Sequence, residues 1–219
     1  MHQQKSLQGL LKASHFGPTL LVTAISFAFA TYYWWEGPAF VIAFGVFTGQ
    51  LVVGWSNDLY DYQDDLRHQR SNKPLISGLI TKEFLQKWLR FMVPFSFIAN
   101  IFGPLGLKGG LIYMLGIACG VAYNFYFKFS PLSPLPYAIA FAALPSCIAL
   151  SKDITPPVWM WLGGALFGMA AHFINVLKDM KEDRESGIGG LPQRLGSELS
   201  ILVATLLIAL GTFVIIIST

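Results

Sequence analysis

Charged residues are scarce in this chain. Only 12% of its 219 residues are Asp, Glu, Lys or Arg, and 54% are apolar; soluble domains average about 25% charged residues. A deficit spread along the whole chain excludes an ordinary soluble domain and predicts an integral membrane protein. The net charge of +3 is too small to indicate a nucleic-acid partner.

Cysteine is rare as well. Cys119 and Cys147 both stand in apolar runs, and neither takes part in a spacing typical of a zinc site. A disulfide would require that their two helices adjoin. We therefore expect both to be small buried residues of the core.

Long apolar runs make up most of the sequence. A transmembrane helix needs about 20 mostly apolar residues, and seven stretches qualify: 17–35, 39–57, 90–107, 109–127, 134–151, 157–177 and 198–217. No small-residue cleavage site follows the first stretch, so it is expected to be a retained span. The pattern predicts an all-α, polytopic transmembrane bundle of about seven spans, forming one domain over residues 1–219.

Basic residues are divided unevenly between the two sides that seven spans define. With the N-terminus inside, every Lys and Arg except Lys108 and Lys152 falls on the inner side. This bias agrees with the positive-inside rule. The N-terminus and the two longer polar segments, 57–90 and 178–197, are therefore expected on the cytoplasmic side of the bilayer.

Acidic residues are concentrated in two windows, each directly after an apolar stretch. In the first window, NDLYDYQDD (57–65), Asp58, Asp61 and Asp65 stand at i, i+3 and i+7. On a helix that continues beyond the span they share one face. Asp64 points elsewhere and is expected to be only solvated. A polar face on an apolar helix should face the bundle interior or a wet cavity, because contact with lipid is costly.

The second window, NVLKDMKED (175–183), repeats the pattern. His172, Asn175, Asp179 and Asp183 stand at i, i+3, i+7 and i+11 and are predicted to form one stripe of a helix. A buried histidine on such a stripe is expected to be a satisfied interior residue rather than a base.

Two carboxylate faces at one depth would repel each other unaided, so they are expected to bind cations. Oxygen ligands without Cys or dense His favour Mg²⁺, which usually bridges one or two carboxylates to phosphate oxygens of a substrate. Basic residues nearby could neutralise a diphosphate further; they are Arg67, Arg70, Lys73, Lys128 and Lys178. Alternatively, these acids and the nearby Arg and Lys residues form ion pairs that only stabilise the structure.

Both windows resemble the Asp-rich motifs of the UbiA superfamily of intramembrane prenyltransferases. The first fits N-D-x-x-D-x-x-x-D and is followed by NKPLISG (72–78); the second fits N-x-x-x-D-x-x-x-D and is followed by GIGGLPQRLG (187–196). The resemblance runs from about residue 15 to the end. It implies a helical bundle in which Mg²⁺ and the two motifs bind an isoprenyl diphosphate. A nucleophilic acceptor then captures the prenyl group. The commonest acceptor in the family is an aromatic ring on a quinone pathway, and a tetrapyrrole, a glycerol-based lipid and a sugar phosphate are the alternatives.

The resemblance also implies roles for individual residues. Metal ligands would be Asp58, Asp61, Asp65, Asp179 and Asp183, and of these Asp58, Asp61, Asp179 and Asp183 would be catalytic. Substrate-binding residues would be Asn57, Arg67, Arg70, Lys73, Tyr123, Lys128 and Asn175. The Tyr123 ring could stabilise an allylic cation, although packing is the commoner role of a tyrosine in so aromatic a chain.

Two features depart from the family pattern. Gly190-Leu191-Pro192 stands where the family usually has Thr-Leu-Pro, so the loop that closes the mouth of the site could differ. The family bundle commonly has about nine helices. The expectations are a compact member, a partner or second copy that completes the bundle, or an incomplete sequence.

Two other functions stay open. A CDP-alcohol phosphatidyltransferase also carries Asp-rich motifs in a membrane bundle, but NDLYDYQDDLRHQR (57–70) lacks the Asp-Gly and Ala-Arg pairs of that family. A non-catalytic lipid-binding or transport protein could keep the cation site without the chemistry. No acceptor motif is recognisable, and the prenyl chain length is not encoded in any short segment.

Overall fold

A computed structural model describes the backbone of residues 2–218 and the side chains of residues 7–218. The described chain is helical and contains no strand, which confirms the all-α prediction. α1 covers His2–Ala13, α2 Phe16–Tyr33, α3 Glu36–Arg67, α4 Lys82–Phe102, α5 Gly106–Phe125, α6 Pro134–Leu150, α7 Gly164–Leu177, α8 Met180–Glu185, α9 Leu191–Leu195 and α10 Ser197–Ser218. A 3₁₀ turn, Phe127–Phe129, precedes α6, and a π-helical turn, Trp159–Gly163, leads into α7.

Each predicted span corresponds to one of these helices. Five are long and apolar enough to cross a membrane: α2, α3, α5, α10 and the continuous segment Trp159–Leu177. The apolar α6 is shorter, at 17 residues. α4 begins with several charged residues, Lys82, Glu83, Lys87 and Arg90. Crossing by α4 and α6, and hence the number of about seven spans, stays a prediction.

The chain divides into two compact units, Met1–Gly106 and Leu107–Thr219. The first contains α1 to α4, and the boundary falls at the first residue of α5. Each unit contains one of the two Asp-rich windows. The expectation of one domain over the whole chain stays a prediction.

In the first unit, α3 is the central helix. α2 and α4 both pack against it. α4 approaches closely at Gly45, whose carbonyl accepts a hydrogen bond of 3.0 Å from the Asn100 amide. A Cβ at Gly45 would lie 2.6 Å from Asn100 Oδ1, so a larger residue would displace the Asn100 amide from this contact. α3 is thereby held along its apolar length, and its last turns carry the first Asp-rich window.

In the second unit, α7 packs against both α6 and α10. Small residues allow this, as is usual between membrane helices: a Cβ at Gly168 would lie 2.4 Å from the Tyr137 carbonyl oxygen of α6. Both cysteines are free thiols; Cys147 is buried as predicted, whereas Cys119 is only half-buried. α7 ends at the second Asp-rich window.

Candidate functional site

The first Asp-rich window lies on unbroken helix. α3 continues to Arg67, ten residues beyond the predicted end of the span. Asp58 and Asp65 are each only 2% exposed, and Asp61 between them is half-buried. The prediction that these three carboxylates share one helix face is therefore confirmed.

Two cations from the segment after α3 neutralise the buried carboxylates. The Lys73 ammonium donates a 2.8 Å hydrogen bond to Asp58 Oδ1, and Arg70 Nη1 donates one of 2.8 Å to Asp65 Oδ1. Burial lowers the pKa of Lys73, but the nearby Asp58, Asp65 and Asp61 carboxylates raise it more, so the pKa lies above its ordinary value. Lys73 is therefore a cation at neutral pH, surrounded by the three acids.

The prediction for Asp64 was wrong. Its carboxylate is 30% exposed and lies 3.3 Å from Arg70 Nη1 and 3.3 Å from His68 Nδ1. The reason is that the chain turns back after α3, which brings Arg70 against two carboxylates at once. Arg67, predicted to contact the diphosphate, is exposed at the end of α3.

A histidine that precedes α2 also reaches this cluster. His15 Nε2 lies 3.3 Å from Asp58 Oδ1 and 3.4 Å from the side-chain amide nitrogen of Asn57. The first oxygen of Asp58 therefore has two cationic or polar neighbours, Lys73 and His15. Its second oxygen, Oδ2, is buried and has no hydrogen-bond partner among the described residues.

The donor set of this cluster suits a hard cation. An unpartnered buried carboxylate oxygen is costly in a protein interior, and a divalent ion or a protonated group would remove that cost. Within residues 7–218, no three His, Cys, Asp or Glu side chains form a metal site by themselves. Mg²⁺ does not require one, because it keeps several waters and takes one or two carboxylates together with phosphate oxygens. The residues present therefore fit Mg²⁺ that is bound jointly with a phosphate-bearing ligand.

The second Asp-rich window is not one continuous helix, so the predicted stripe was wrong beyond Leu177. α7 ends at Leu177, and Asp179 is the N-cap of the separate helix α8. The Asp179 side chain makes no capping hydrogen bond, but acidic residues are favoured near the positive end of the helix dipole, and Glu182 and Asp183 occupy the first turn of α8. A new helix therefore starts where the acids are densest. Asp179 is exposed and Asp183 half-buried.

A neutral side chain holds Asp183. The Gln193 amide donates a 2.7 Å hydrogen bond to Asp183 Oδ2 from within α9. Gln193 is 7% exposed. This contact links the second window to the segment that follows it and orients Asp183, one of its three acids.

Gly190 stands where the family usually has Thr, and this difference has a steric explanation. A Cβ at this position would lie 2.8 Å from both Ser133 Oγ and Gln193 Oε1. Ser133 Oγ accepts a 2.9 Å hydrogen bond from the Leu191 amide and lies 2.9 Å from His172 Nε2. A buried hydroxyl from the turn before α6 thus occupies the space that a larger residue would need. His172 is 1% exposed, an interior residue as predicted. It is not fully satisfied, because its buried Nδ1 has no hydrogen-bond partner among the described residues.

The other predicted residues of the second unit lie in different settings. Lys128 is buried in the 3₁₀ turn, with its ammonium 5.4 Å from the centre of the Phe129 ring. Tyr123 meets the rings of Tyr137 and His172 edge to face, at 5.1 and 5.4 Å, so its ring is part of the packing. Asn175 is exposed on the last turn of α7.

Comparison with known proteins decides the family. A sequence model of the UbiA prenyltransferase family matches residues 19–219. The chain belongs to this family. Among curated proteins, none matches it significantly.

Solved UbiA structures share the fold of this chain. A UbiA homologue from Archaeoglobus fulgidus bound to DMAPP and Mg²⁺ has a TM-score of 0.79 at 16% identity, covering 100% of this chain and 77% of that one. The same homologue bound to GPP and Mg²⁺ has a TM-score of 0.77 at 15% identity, covering 94% and 76%. A structure from work on digeranylgeranylglyceryl phosphate synthase in membranes has a TM-score of 0.73 at 17% identity, covering 95% and 76%.

Within this UbiA fold, the first unit brings together most of the residues predicted for it: Asn57, Asp58, Asp61, Asp65, Arg70 and Lys73. The second unit holds Asp179 and Asp183 at α8, and the structure describes Tyr123 and Lys128 elsewhere in that unit. Each half of the predicted site is described within its own unit.

Sequence reasoning missed three polar residues of these clusters, His15, Ser133 and Gln193. Each reaches its partner across a turn or a long separation, such as the 42 residues between His15 and Asn57. The spacing of residues along one helix cannot predict contacts between different elements of the fold. A polar residue beside Gly or Pro, as in ASHFGP (13–18) and GLPQR (190–194), is the signal that was available.

Proposed function

We propose that this UbiA protein transfers an isoprenyl group from a prenyl diphosphate to a hydrophobic acceptor within the membrane, in a Mg²⁺-dependent reaction. The observation that carries the proposal is the Asp58 carboxylate, buried to 2% exposure with one oxygen beside two basic side chains and the other without a partner. Membership of the family supports prenyl transfer as the general reaction.

The ligand set follows from the two windows. Asp58, Asp61 and Asp65 would supply metal ligands from the first unit. Asp179 and Asp183 would supply them from the second. Mg²⁺, when bound, would neutralise negative charge on the diphosphate and so make it a better leaving group. The similar Archaeoglobus homologue has been solved with Mg²⁺ and prenyl diphosphates.

Basic and amide side chains would complete diphosphate binding. Lys73 holds Asp58 in place and stays charged, so it can also face a diphosphate oxygen. Arg70 has the same double role at Asp65. We assign Lys128, Arg67, Asn57 and Asn175 to the diphosphate as well, and Tyr123 to the wall of the prenyl site.

The reaction is a substitution at the allylic carbon C1. The C1–O bond breaks, and its electron pair leaves with the diphosphate. C1 then bonds to a nucleophilic atom of the acceptor, which loses its proton. For the acceptor we propose an aromatic ring of the quinone-precursor type, since a flat apolar ring can enter such a site from the bilayer.

Both windows would face the cytoplasm. The Lys and Arg distribution supports this orientation. In the second unit, the Lys108 ammonium lies 2.6 Å from Asp153 Oδ1, which brings the start of α5 and the end of α6 to one end of that unit. Cysteine at Lys108 or Lys152 should react with an impermeant thiol reagent on intact cells, whereas cysteine at Lys178 should not.

The decisive experiment uses purified full-length protein and radiolabelled geranyl diphosphate, with Mg²⁺ or with EDTA. Binding and diphosphate release are both measured, and the variants are Asp61→Asn and Asp179→Asn. We expect Mg²⁺-dependent binding and release by the wild type, with release lost in both variants. Binding without release, tested with a panel of aromatic acceptors, would favour the non-catalytic lipid-binding alternative.

A CDP-linked lipid is included as a competitor. Displacement of geranyl diphosphate by that lipid, with release of the cytidine nucleotide, would favour the phosphatidyltransferase alternative. Failure of a folded wild-type protein to bind any prenyl diphosphate, from dimethylallyl to long-chain, would contradict the proposal.

A further inference from the structure

The turn between α1 and α2 lies against the first Asp-rich window. Trp55 Nε1 of α3 donates a 2.9 Å hydrogen bond to the Leu10 carbonyl of α1. A Cβ at Gly54 would lie 2.7–2.8 Å from the backbone of Ser14. Both contacts are one helical turn before Asp58, so the turn is fixed at a depth that places the next residue, His15, beside the Asp58 carboxylate.

His15 has an unusual backbone conformation for its residue type. Its φ is 51° and ψ 58°, in the left-handed region that glycine adopts far more readily. Strained residues of this kind cluster at functional sites, where the surrounding contacts impose them. Here the imposed conformation directs Nε2 to within 3.3 Å of Asp58 Oδ1.

The two oxygens of the Asp58 carboxylate have different surroundings. Lys73 donates to Oδ1 and His15 lies beside the same oxygen. Oδ2 is buried and has no partner among the described residues. A carboxylate anchored at one oxygen presents the other in a fixed direction, which is how second partners of metal-binding side chains orient the ligand.

We propose that His15 is a positioning residue of the diphosphate site, which orients Asp58 so that Oδ2 can bind the metal. This inference rests on the proposed function. It also assigns a purpose to the α1–α2 turn, which carries no part of either Asp-rich motif. Loss of the His15 side chain should weaken Mg²⁺ binding without weakening the fold.

The test substitution is His15→Gly. Glycine removes the imidazole and relieves the left-handed backbone, so a fold that does not depend on the imidazole should have equal or higher thermal stability. We expect His15→Gly to keep that stability. The Mg²⁺ concentration that gives half-maximal binding of geranyl diphosphate should rise about tenfold, the low end of the ~10–100-fold loss of metal affinity when such a partner is removed. His15→Gln, which returns an N–H donor, should restore most of the Mg²⁺ affinity.

Two control variants each change a residue that shares one property with His15, either its left-handed backbone or its distance from a carboxylate. Gln69→Gly relieves another left-handed residue, with φ 50°, in the same unit. His68→Ala removes a histidine that lies at the same 3.3 Å from a carboxylate, but from Asp64, which has no assigned metal role. Both should keep the wild-type Mg²⁺ dependence.

The outcomes separate the inference from the proposed function. If the wild type shows no Mg²⁺-dependent binding of geranyl diphosphate, the proposed function fails and the inference with it. If the wild type binds and His15→Gly has the same Mg²⁺ dependence, the inference alone is overturned. Weaker binding at saturating Mg²⁺, with the half-maximal Mg²⁺ concentration unchanged, would instead make His15 a direct substrate ligand and also overturn it.

Discussion

In the first unit, the Asp-rich window lies on the last turns of a continuous helix, and its carboxylates are buried beside Lys73, Arg70 and His15. In the second unit, the window is divided between the end of α7 and the short helix α8. Asp179 there is exposed, and the neutral amide of Gln193 holds Asp183. Nearly the same motif thus produces a buried, charge-paired window in the first unit and a more exposed window in the second.

The difference has a physical meaning for binding. Buried carboxylates that are already paired need little rearrangement to present an unpartnered oxygen. Under the proposed function, Asp58 would therefore be prepared for the metal before the substrate arrives. The exposed Asp179 would have to be ordered on binding.

Removal of Asp58 should have the largest effect. Asp58→Asn keeps the side-chain shape but replaces the charged ligand, and we expect diphosphate release to fall by roughly a hundredfold or more, as for other preorganised electrostatic groups. The matched control is Asp64→Asn, which alters an acid of the same window outside the predicted ligand set. Equal losses in both variants would show that the window acts only through its total charge.

The Lys73→Met variant tests whether the first half depends on its ion pairs. It leaves Asp58 buried without its cation, and we expect a stability loss of about 2 kcal/mol, below the ~3–5 of a fully buried pair because Lys73 is partly exposed. The raised pKa of Lys73 makes this stabilisation complete below pH 10.5 and lost as pH rises through the higher folded-state value. Thermal unfolding in detergent measures it, with the exposed Lys87→Met as control.

Gln193→Ala tests the neutral contact of the second half. It removes one hydrogen bond to Asp183, which contributes about 1.5 kcal/mol, the low end of the ~1.5–3 kcal/mol for a charged acceptor, because Asp183 is only half-buried. We expect a smaller change in melting temperature than in Lys73→Met, together with slower diphosphate release. A larger stability loss than in Lys73→Met would reverse the comparison between the two halves.

The exposed ion pair of Lys108 and Asp153 shows how much stability an unburied pair contributes, for comparison with Lys73 and Asp58. The Lys108 ammonium lowers the pKa of Asp153 by a hydrogen bond and by its charge, so any stabilisation is present above pH 3.8 and is lost as pH falls. Exposed pairs contribute little, and Lys108→Ala should leave the melting temperature at pH 7 unchanged. A fall comparable to that of Lys73→Met would mean that burial does not distinguish these ion pairs.

Much of the fold was predictable because each membrane helix is encoded by one continuous apolar run of the sequence. Each of the seven apolar stretches contains a helix, and the spacing of Asp58, Asp61 and Asp65 predicted their common face on α3. The break after Leu177 was not predictable, since no Gly or Pro stands between Asn175 and Asp183. The contacts of His15 and Gln193 were missed because they depend on tertiary structure and not on helical period.

Under the proposed function, both windows would bind one diphosphate through Mg²⁺. The most direct test is a double-mutant cycle on Mg²⁺-dependent geranyl diphosphate binding, with Asp58→Asn in the first unit, Asp179→Asn in the second, and both together. We predict one bound diphosphate per chain and strong coupling, so that the double variant binds no more weakly than the weaker single variant. Losses of binding free energy that simply add, with two independent sites per chain, would contradict the account.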